Sequence, residues 1–253
     1  MQIICGWYPF GFLCRQMKGE YSMNGTLYGI GVGPGDPELL TIKAVRILRE
    51  TAWLAIPGAD KESCAAYQIA VQAVPEIHNK PCLYIQMPMT KDEARLQASH
   101  EAGCARIEKV LSKGESVCFL TLGDPAIYST YLYLKKLASA HGYPTEIVSG
   151  IPSFCAAAAA LNIGLVERAQ PMVIIPGAYP TEDVLDFPGT KVLMKSGKQL
   201  AQVRDQLKNR RLTASMVENC GLPTEKIYPA LKDIPDSAGY LSLIVAKPGE
   251  DGR

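Results

Sequence analysis

Histidine is scarce, at three in 253 residues, and no two of the eight cysteines form a Cys-x-x-Cys pair. A zinc site needs clustered Cys and His ligands, so no resident metal is expected. Charge of one sign is also missing. The formal net charge is +1, without the strong basic bias of a nucleic-acid binder, and a nucleic-acid partner is not expected. No apolar run reaches the roughly 18 residues that a membrane span needs, so no membrane partner is expected either. Several cysteines lie in apolar runs, as Cys118 does in Val117-Cys118-Phe119-Leu120. They read as small buried hydrophobes in a reducing compartment, and a cytoplasmic location is the expectation.

What is present is ordinary for a globular chain. Hydrophobic residues make up 47% and charged residues 20%, and the length allows a sizeable core. Residues 1–22 differ from the rest. Ile3-Ile4-Cys5-Gly6-Trp7-Tyr8-Pro9-Phe10 is apolar but broken by Gly and Pro, with no Lys or Arg before it and no Ala-x-Ala site after it. That makes a poor signal peptide. Met23 then opens a clean strand pattern, and residues 1–22 are expected to be a leader upstream of a natural start at Met23. A short N-terminal arm is the alternative.

From Thr26 to Ala246 short apolar runs alternate with amphipathic stretches. Strands are expected at 26–32, 53–56, 83–86 and 116–121, and helices at 38–51, 63–74, 92–112 and 127–140. Such alternation implies a mainly parallel sheet covered by helices. A second set follows, with strands at 145–148, 172–175, 191–194, 214–218 and 240–246 and helices at 152–162 and 198–207. The fold class is therefore α/β in two lobes, 23–142 and 143–253, joined near His141-Gly142-Tyr143-Pro144. The five alanines 156–160 read as a helix face packed tightly on a sheet.

Three loops carry the chemistry. In Gly29-Ile30-Gly31-Val32-Gly33-Pro34-Gly35-Asp36-Pro37-Glu38, four glycines fall within seven residues and let backbone approach a ligand closely. The dinucleotide fingerprint Gly-x-Gly-x-x-Gly fails here. Its third position is Pro34, Asp36 or Glu38 in the three possible registers, and an Asp at the helix start repels a pyrophosphate. No Gly-Lys-Ser/Thr follows, so the loop is not a P-loop either. Asp36 is placed as a helix cap and Pro37 in the first turn. The second loop, Leu122-Gly123-Asp124-Pro125-Ala126-Ile127-Tyr128-Ser129-Thr130, repeats the Gly-Asp-Pro device after a buried strand. Two such turns at one sheet edge suggest a shared crevice. Asp124 either caps a helix or points its carboxylate at a ligand. On the second reading, Asp124→Asn leaves the fold nearly intact and weakens ligand binding. The third loop is Ser149-Gly150-Ile151-Pro152-Ser153.

These segments carry a resemblance. Gly31-Val32-Gly33-Pro34-Gly35-Asp36-Pro37-Glu38-Leu39-Leu40-Thr41 resembles the opening signature of the tetrapyrrole methylase family. Leu122–Thr130 and Ser149–Ser153 are similar to its second and third binding loops, and Glu218-Asn219-Cys220-Gly221 is similar to its late Glu-Asn-Gly segment with a Cys inserted. The likeness spans about residues 23–246. Within the family, Gly123–Tyr131, Met87-Pro88-Met89-Thr90 and Val192-Leu193-Met194-Lys195 look most like the branch that methylates a bridging carbon of a precorrin during cobalamin synthesis.

The resemblance implies two α/β lobes of the class III methyltransferase type, with S-adenosylmethionine held between them and S-adenosylhomocysteine as product. It also implies a small-molecule tetrapyrrole substrate and a homodimer. By position, Gly33, Pro34, Gly35, Gly123, Asp124, Ile127, Ser129, Thr130, Gly150, Ile151, Ser153, Met194, Lys195 and Asn219 are expected at the cofactor. Asp36, Arg168 and Lys198 are candidates for the substrate; its carboxylates call for basic partners, for which Arg168, Lys195 and Lys198 are the candidates. No catalytic side chain is identified. The rival readings are another tetrapyrrole methylase step, an RNA or protein methylase of this fold, a nicotinamide-dependent dehydrogenase, which the failed fingerprint disfavours, and a non-catalytic nucleotide-binding module.

Overall fold

The structure, a computed structural model, describes residues 24–88, 90–176, 182–195 and 197–249, with the side chains of Glu182, Asp183 and Lys198 left aside. The expected leader, residues 1–22, and Met89 lie outside the described residues. In chain order the elements are β1 (Leu27–Gly31), α1 (Ile42–Glu50), β2 (Trp53–Pro57), α2 (Ala65–Ala73), β3 (Cys82–Ile85), α3 (Glu93–Leu111), β4 (Val117–Thr121), α4 (Tyr131–Ala140) and β5 (Thr145–Val148). There follow α5 (Ser153–Ala160), β6 (Met172–Pro176), α6 (Glu182–Leu185), β7 (Thr190–Met194), α7 (Leu200–Asn209), β8 (Leu212–Glu218), β9 (Lys226–Tyr228) and β10 (Ser242–Pro248).

The first sheet runs β3-β2-β4-β1-β5, and every pair is parallel. Its central strand β4 is buried throughout, as a parallel strand covered on both faces must be. The two-residue period sorts its side chains. Cys118 and Leu120 join Ile30, Leu54 and Ile56 under α1 and α2. Val117 and Phe119 join Leu27 and Ala55 under α3 and α4. Thr41 caps α1 by accepting from Ala44 N at 3.1 Å, and Asp92 caps α3 by accepting from Arg95 N at 3.1 Å.

The second sheet runs β6-β7-β10-β8-β9 and is mixed: only β6 and β7 pair in parallel. α7 covers one face. On the other, Phe154 and Ala157 of the alanine-rich α5 pack against Val192, Val217, Leu243 and Val245.

The order of pairing moves one expected boundary. Thr145–Val148, expected to open the second lobe, is the edge strand of the first sheet, paired in parallel with β1. The chain changes sheet only after Val148, so the junction is Ser149–Pro152 and not His141–Pro144. The sequence pattern fixes that a strand lies there but not which strand it pairs with. A second difference lies at 127–130, expected as the start of a helix. Tyr128 has φ +48 and α4 begins at Tyr131, so the Gly-Asp-Pro loop runs longer than its helical pattern suggests.

Candidate active site

β4, β1 and β5 are neighbours in the first sheet, so the three loops leave the sheet side by side at their C-terminal ends. Glycine makes this convergence possible, because these positions touch backbone. A Cβ on Gly31 would lie 2.5 Å from Gly150 N, and one on Gly150 only 2.3 Å from Gly123 O. Gly33 and Gly123, both at positive φ, exchange backbone hydrogen bonds as an isolated antiparallel bridge. A Cβ on Gly35 would meet Cys220 O at 2.2 Å, which brings the late Glu218–Gly221 segment against the first loop. The first loop's glycines therefore approach other loops, and from that loop Pro34 lines the cavity described next.

Asp124 is the clasp of this arrangement. It is 8% exposed. Its Oδ1 accepts from Ala126 N at 2.7 Å and its Oδ2 from Gly150 N at 3.0 Å. One carboxylate thus shapes the second loop and ties it to the third. Ser129 Oγ accepts from Tyr131 N at 3.0 Å and lies 3.4 Å from Thr121 Oγ1, closing the start of α4 onto the end of β4. Tyr128 reaches across to the second sheet, where its Oη donates to Ile174 O at 2.9 Å.

Between the lobes lies a cavity of about 1130 Å³. Its rim holds Pro34, Gly123, Asp124, Ile127, Ser129, Thr130 and Ser153. The second lobe adds Met194 at the end of β7 and Lys195 just after it, Val217 near the end of β8 and Cys220 beyond it, and Tyr240 to Leu243 around the start of β10. Lys195, at φ +61, sets its ammonium 5.2 Å from the centre of the Tyr240 ring. Burial, with Glu225 nearby, pushes the Cys220 thiol up to about 12, so it keeps its proton and behaves as a small apolar wall.

Of the expected cofactor residues, the structure brings Pro34, Gly123, Asp124, Ile127, Ser129, Thr130, Ser153, Met194 and Lys195 to this cavity. Gly33, Gly35, Gly150 and Ile151 stand behind the rim as its backbone support. Asn219 turns aside: at φ +54 it donates from Nδ2 to Thr224 Oγ1 at 3.1 Å, and its neighbour Cys220 lines the cavity instead. Asp36 accepts from Glu38 N at 2.8 Å, as a cap does, and does not line the cavity. That carboxylate at the turn start also opposes a pyrophosphate there. Arg168 lies exposed in a turn away from the cavity wall. Lys198 belongs to a short 3-10 turn, and its side chain is outside the described residues.

Sequence reasoning missed the first-lobe wall. Glu93, Leu96, Gln97 and His100 form one face of α3, and Tyr133, Lys136, Leu137 and Ala140 one face of α4, and both faces line the cavity. Helical spacing makes such faces visible, but nothing in the sequence says that they border a ligand. Met87 and Pro88, from a motif singled out in the sequence, complete that wall. Cys104, Glu108 and His141 also come together, with their ligand atoms within 4.8 Å of one another. Glu108 Oε1 accepts from Cys104 Sγ at 3.2 Å and lies 2.7 Å from His141 Nδ1. Burial, with Glu108 alongside, pushes the Cys104 thiol up to about 12, so a protonated thiol donates to the carboxylate.

The residues present suit S-adenosylmethionine. Ile127, Met194, Val217, Leu241 and Leu243 give an apolar slot beside the hydroxyls and backbone of the loop rim. On the same wall Ser242 buries an Oγ that has no hydrogen-bond partner among the described residues, so a polar group is wanting there.

Comparison with known proteins agrees with this geometry. Residues 26–235 match the family described as tetrapyrrole (corrin/porphyrin) methylases. A probable cobalt-precorrin-2 C(20)-methyltransferase of Methanocaldococcus jannaschii is 35% identical over 226 residues, which is 87% of this chain and 95% of that protein. A cobalt-precorrin-2 C(20)-methyltransferase of Salmonella typhimurium is 30% identical over 231 residues, 88% of this chain and 96% of its own. Among solved structures, the uroporphyrin-III C-methyltransferase of Thermus thermophilus complexed with S-adenosylhomocysteine superposes with a TM-score of 0.65 at 21% identity, covering 87% of this chain and 97% of that one. With the signature loops gathered at one rim and the likeness running nearly end to end, this chain belongs to the tetrapyrrole (corrin/porphyrin) methylases.

Proposed function

We propose that this enzyme transfers a methyl group from S-adenosylmethionine to carbon 20 of precorrin-2 or its cobalt-bearing counterpart, in cobalamin biosynthesis. The observation that carries this reading is the continuity of one cavity from the three-loop rim to the α3–α4 wall. Its volume of about 1130 Å³ exceeds the roughly 300–1,000 Å³ common for a single small ligand. The relatives named above supply the substrate class. When bound, S-adenosylmethionine offers a methyl on a positively charged sulfur that leaves as a neutral thioether, so no acid need protonate it.

The chain's own task is to hold and align. The rim, with Asp124 and Ser129 already committed to backbone, is preorganised and gives a fixed seat. The α3–α4 wall holds the acceptor carbon against it. Placement of this kind can supply about 7–11 kcal/mol of the barrier. Among the described residues Lys136 and Lys195 bring ammonium groups to the cavity and meet the substrate's carboxylates. Cobalt, where present, arrives with the substrate. The same reading carries a homodimer working in the cytoplasm; sedimentation at micromolar concentration tests the dimer.

The enzyme is incubated with S-adenosylmethionine labelled with ¹³C in its methyl and with precorrin-2. The label is expected on carbon 20, read by NMR of the product. No transfer to precorrin-2 with or without cobalt, or transfer into RNA instead, overturns the reading.

A further inference from the structure

Methylation of a bridging carbon leaves one task without a residue, because that carbon carries a hydrogen that must depart as a proton. We propose that His100 is the general base that accepts it. The assignment rests on the function proposed above and adds a catalytic residue to it.

His100 alone of the three histidines lines the cavity. It shares its α3 face with Glu93 and Gln97, on the wall that faces the substrate. Its ring lies flat on Tyr133 of α4, with centroids 4.5 Å and planes 10° apart. The stack fixes the plane of the imidazole where α3 and α4 pack together. Among the described residues no hydrogen bond or ion pair engages the ring nitrogens, so one is free to accept. Burial lowers its affinity for a proton below the ordinary imidazole value, which favours the neutral, accepting form at neutral pH.

The other groups on the wall are less suited. Both Asp124 oxygens are taken by backbone N–H groups. The Cys220 thiol holds its proton. Lysine and tyrosine side chains ordinarily hold theirs near neutrality, and a glutamate is a weaker base than an imidazole by about two pKa units. Geometry and basicity together single out His100.

The step balances. The electron pair of the bridging carbon forms the new carbon–methyl bond as the sulfur–methyl bond breaks, and sulfur leaves as the neutral thioether. The C–H bond then breaks, its electron pair returns to the conjugation of the ring, and its proton passes to the free imidazole nitrogen. The histidinium hands that proton to water.

The test uses His100→Ala and His100→Gln, the second keeping bulk against Tyr133 should the first loosen α3. S-adenosylhomocysteine binding by calorimetry is expected to stay within about threefold of the parent, while turnover falls about a hundredfold or more. Deuterium at carbon 20 is expected to bring out a primary isotope effect in the variants, and added imidazole to restore part of the turnover of His100→Ala alone. Turnover within threefold of the parent in both variants overturns the proposal. So does a loss of turnover with no isotope effect and no imidazole rescue, which makes the residue structural. Failure of the parent enzyme to methylate precorrin-2 is seen before any variant is made, and it overturns the function itself.

Discussion

Replacing Asp124 by asparagine tests whether the loop rim is a clasp. An asparagine offers one acceptor oxygen where the carboxylate has two. Either orientation of its amide turns an NH₂ group toward a backbone N–H, that of Ala126 or that of Gly150, which now lie 2.7 and 3.0 Å from the carboxylate oxygens. One charge-assisted hydrogen bond is lost and a donor is left facing a donor, at a site 8% exposed. The expected cost is about 1.5–3 kcal/mol. At roughly 2–4 °C per kcal/mol for a chain of this size, the melting temperature should fall by about 3–12 °C. If Gly150 loosens, the rim loosens with it, and S-adenosylhomocysteine affinity should drop about tenfold, the equivalent of 1.4 kcal/mol. The sequence alone pointed to an almost unchanged melting temperature, because asparagine caps as well as aspartate. The second acceptor, invisible in the sequence, reverses that expectation. Asp36→Asn is the control: Asp36 makes a single bond, to Glu38 N, so its melting temperature should move by less than about 2 °C. Scanning calorimetry and isothermal titration with S-adenosylhomocysteine read both quantities. A melting temperature within 1 °C of the parent for Asp124→Asn would refute the clasp.

Gly150→Ala drives a Cβ to 2.3 Å from Gly123 O, and the urea midpoint should register a loss of at least about 1–3 kcal/mol; an unchanged midpoint would mean the loops yield freely. Tyr131→Phe removes a buried hydroxyl whose single hydrogen the Leu27 and Glu146 carbonyls share, 3.1 and 2.8 Å away, and should cost about 1–3 kcal/mol by the same measurement. Titration should show S-adenosylhomocysteine binding and no heat with NAD or NADP; tight NAD binding would contradict the reading of the first loop. With burial pushing its thiol up to about 12, Cys220 should react with iodoacetamide at pH 7.5 at least about a hundredfold more slowly than a free thiol, as mapped by mass spectrometry.

The loops were legible because their constraints are local. A tight turn after a buried strand demands Gly, a cap demands Asp, and both leave letters in the sequence at Gly33–Asp36 and Gly123–Pro125. The partners of those letters were not legible. Nothing near Asp124 announces Gly150, since that contact depends on β4 and β5 flanking β1 in one sheet, and nothing near Gly35 announces Cys220, since that contact depends on how the two sheets meet. The assignment of Thr145–Val148 failed for the same reason. His100 and Lys136 were hidden otherwise: a polar residue on a helix face reads alike whether it borders solvent or a cavity.

The place where the chain leaves the first sheet has a mechanical consequence. Among the described residues the backbone crosses once from one sheet to the other, at Ser149–Pro152, and the carboxylate of Asp124 grips that crossing at Gly150. A single crossing is a pivot, and this one sits at the rim of the cavity. Pro34 from the first lobe and Met194 from the second face the cavity on either side of that crossing, and the close approach of Gly35 to Cys220 O holds the two sides together. The bond from Tyr128 Oη to Ile174 O spans the same gap from the side, so it acts as a latch. A molecule seated in the slot would touch both lobes beside the one crossing that joins them, so whatever holds it also ties the two sheets to each other.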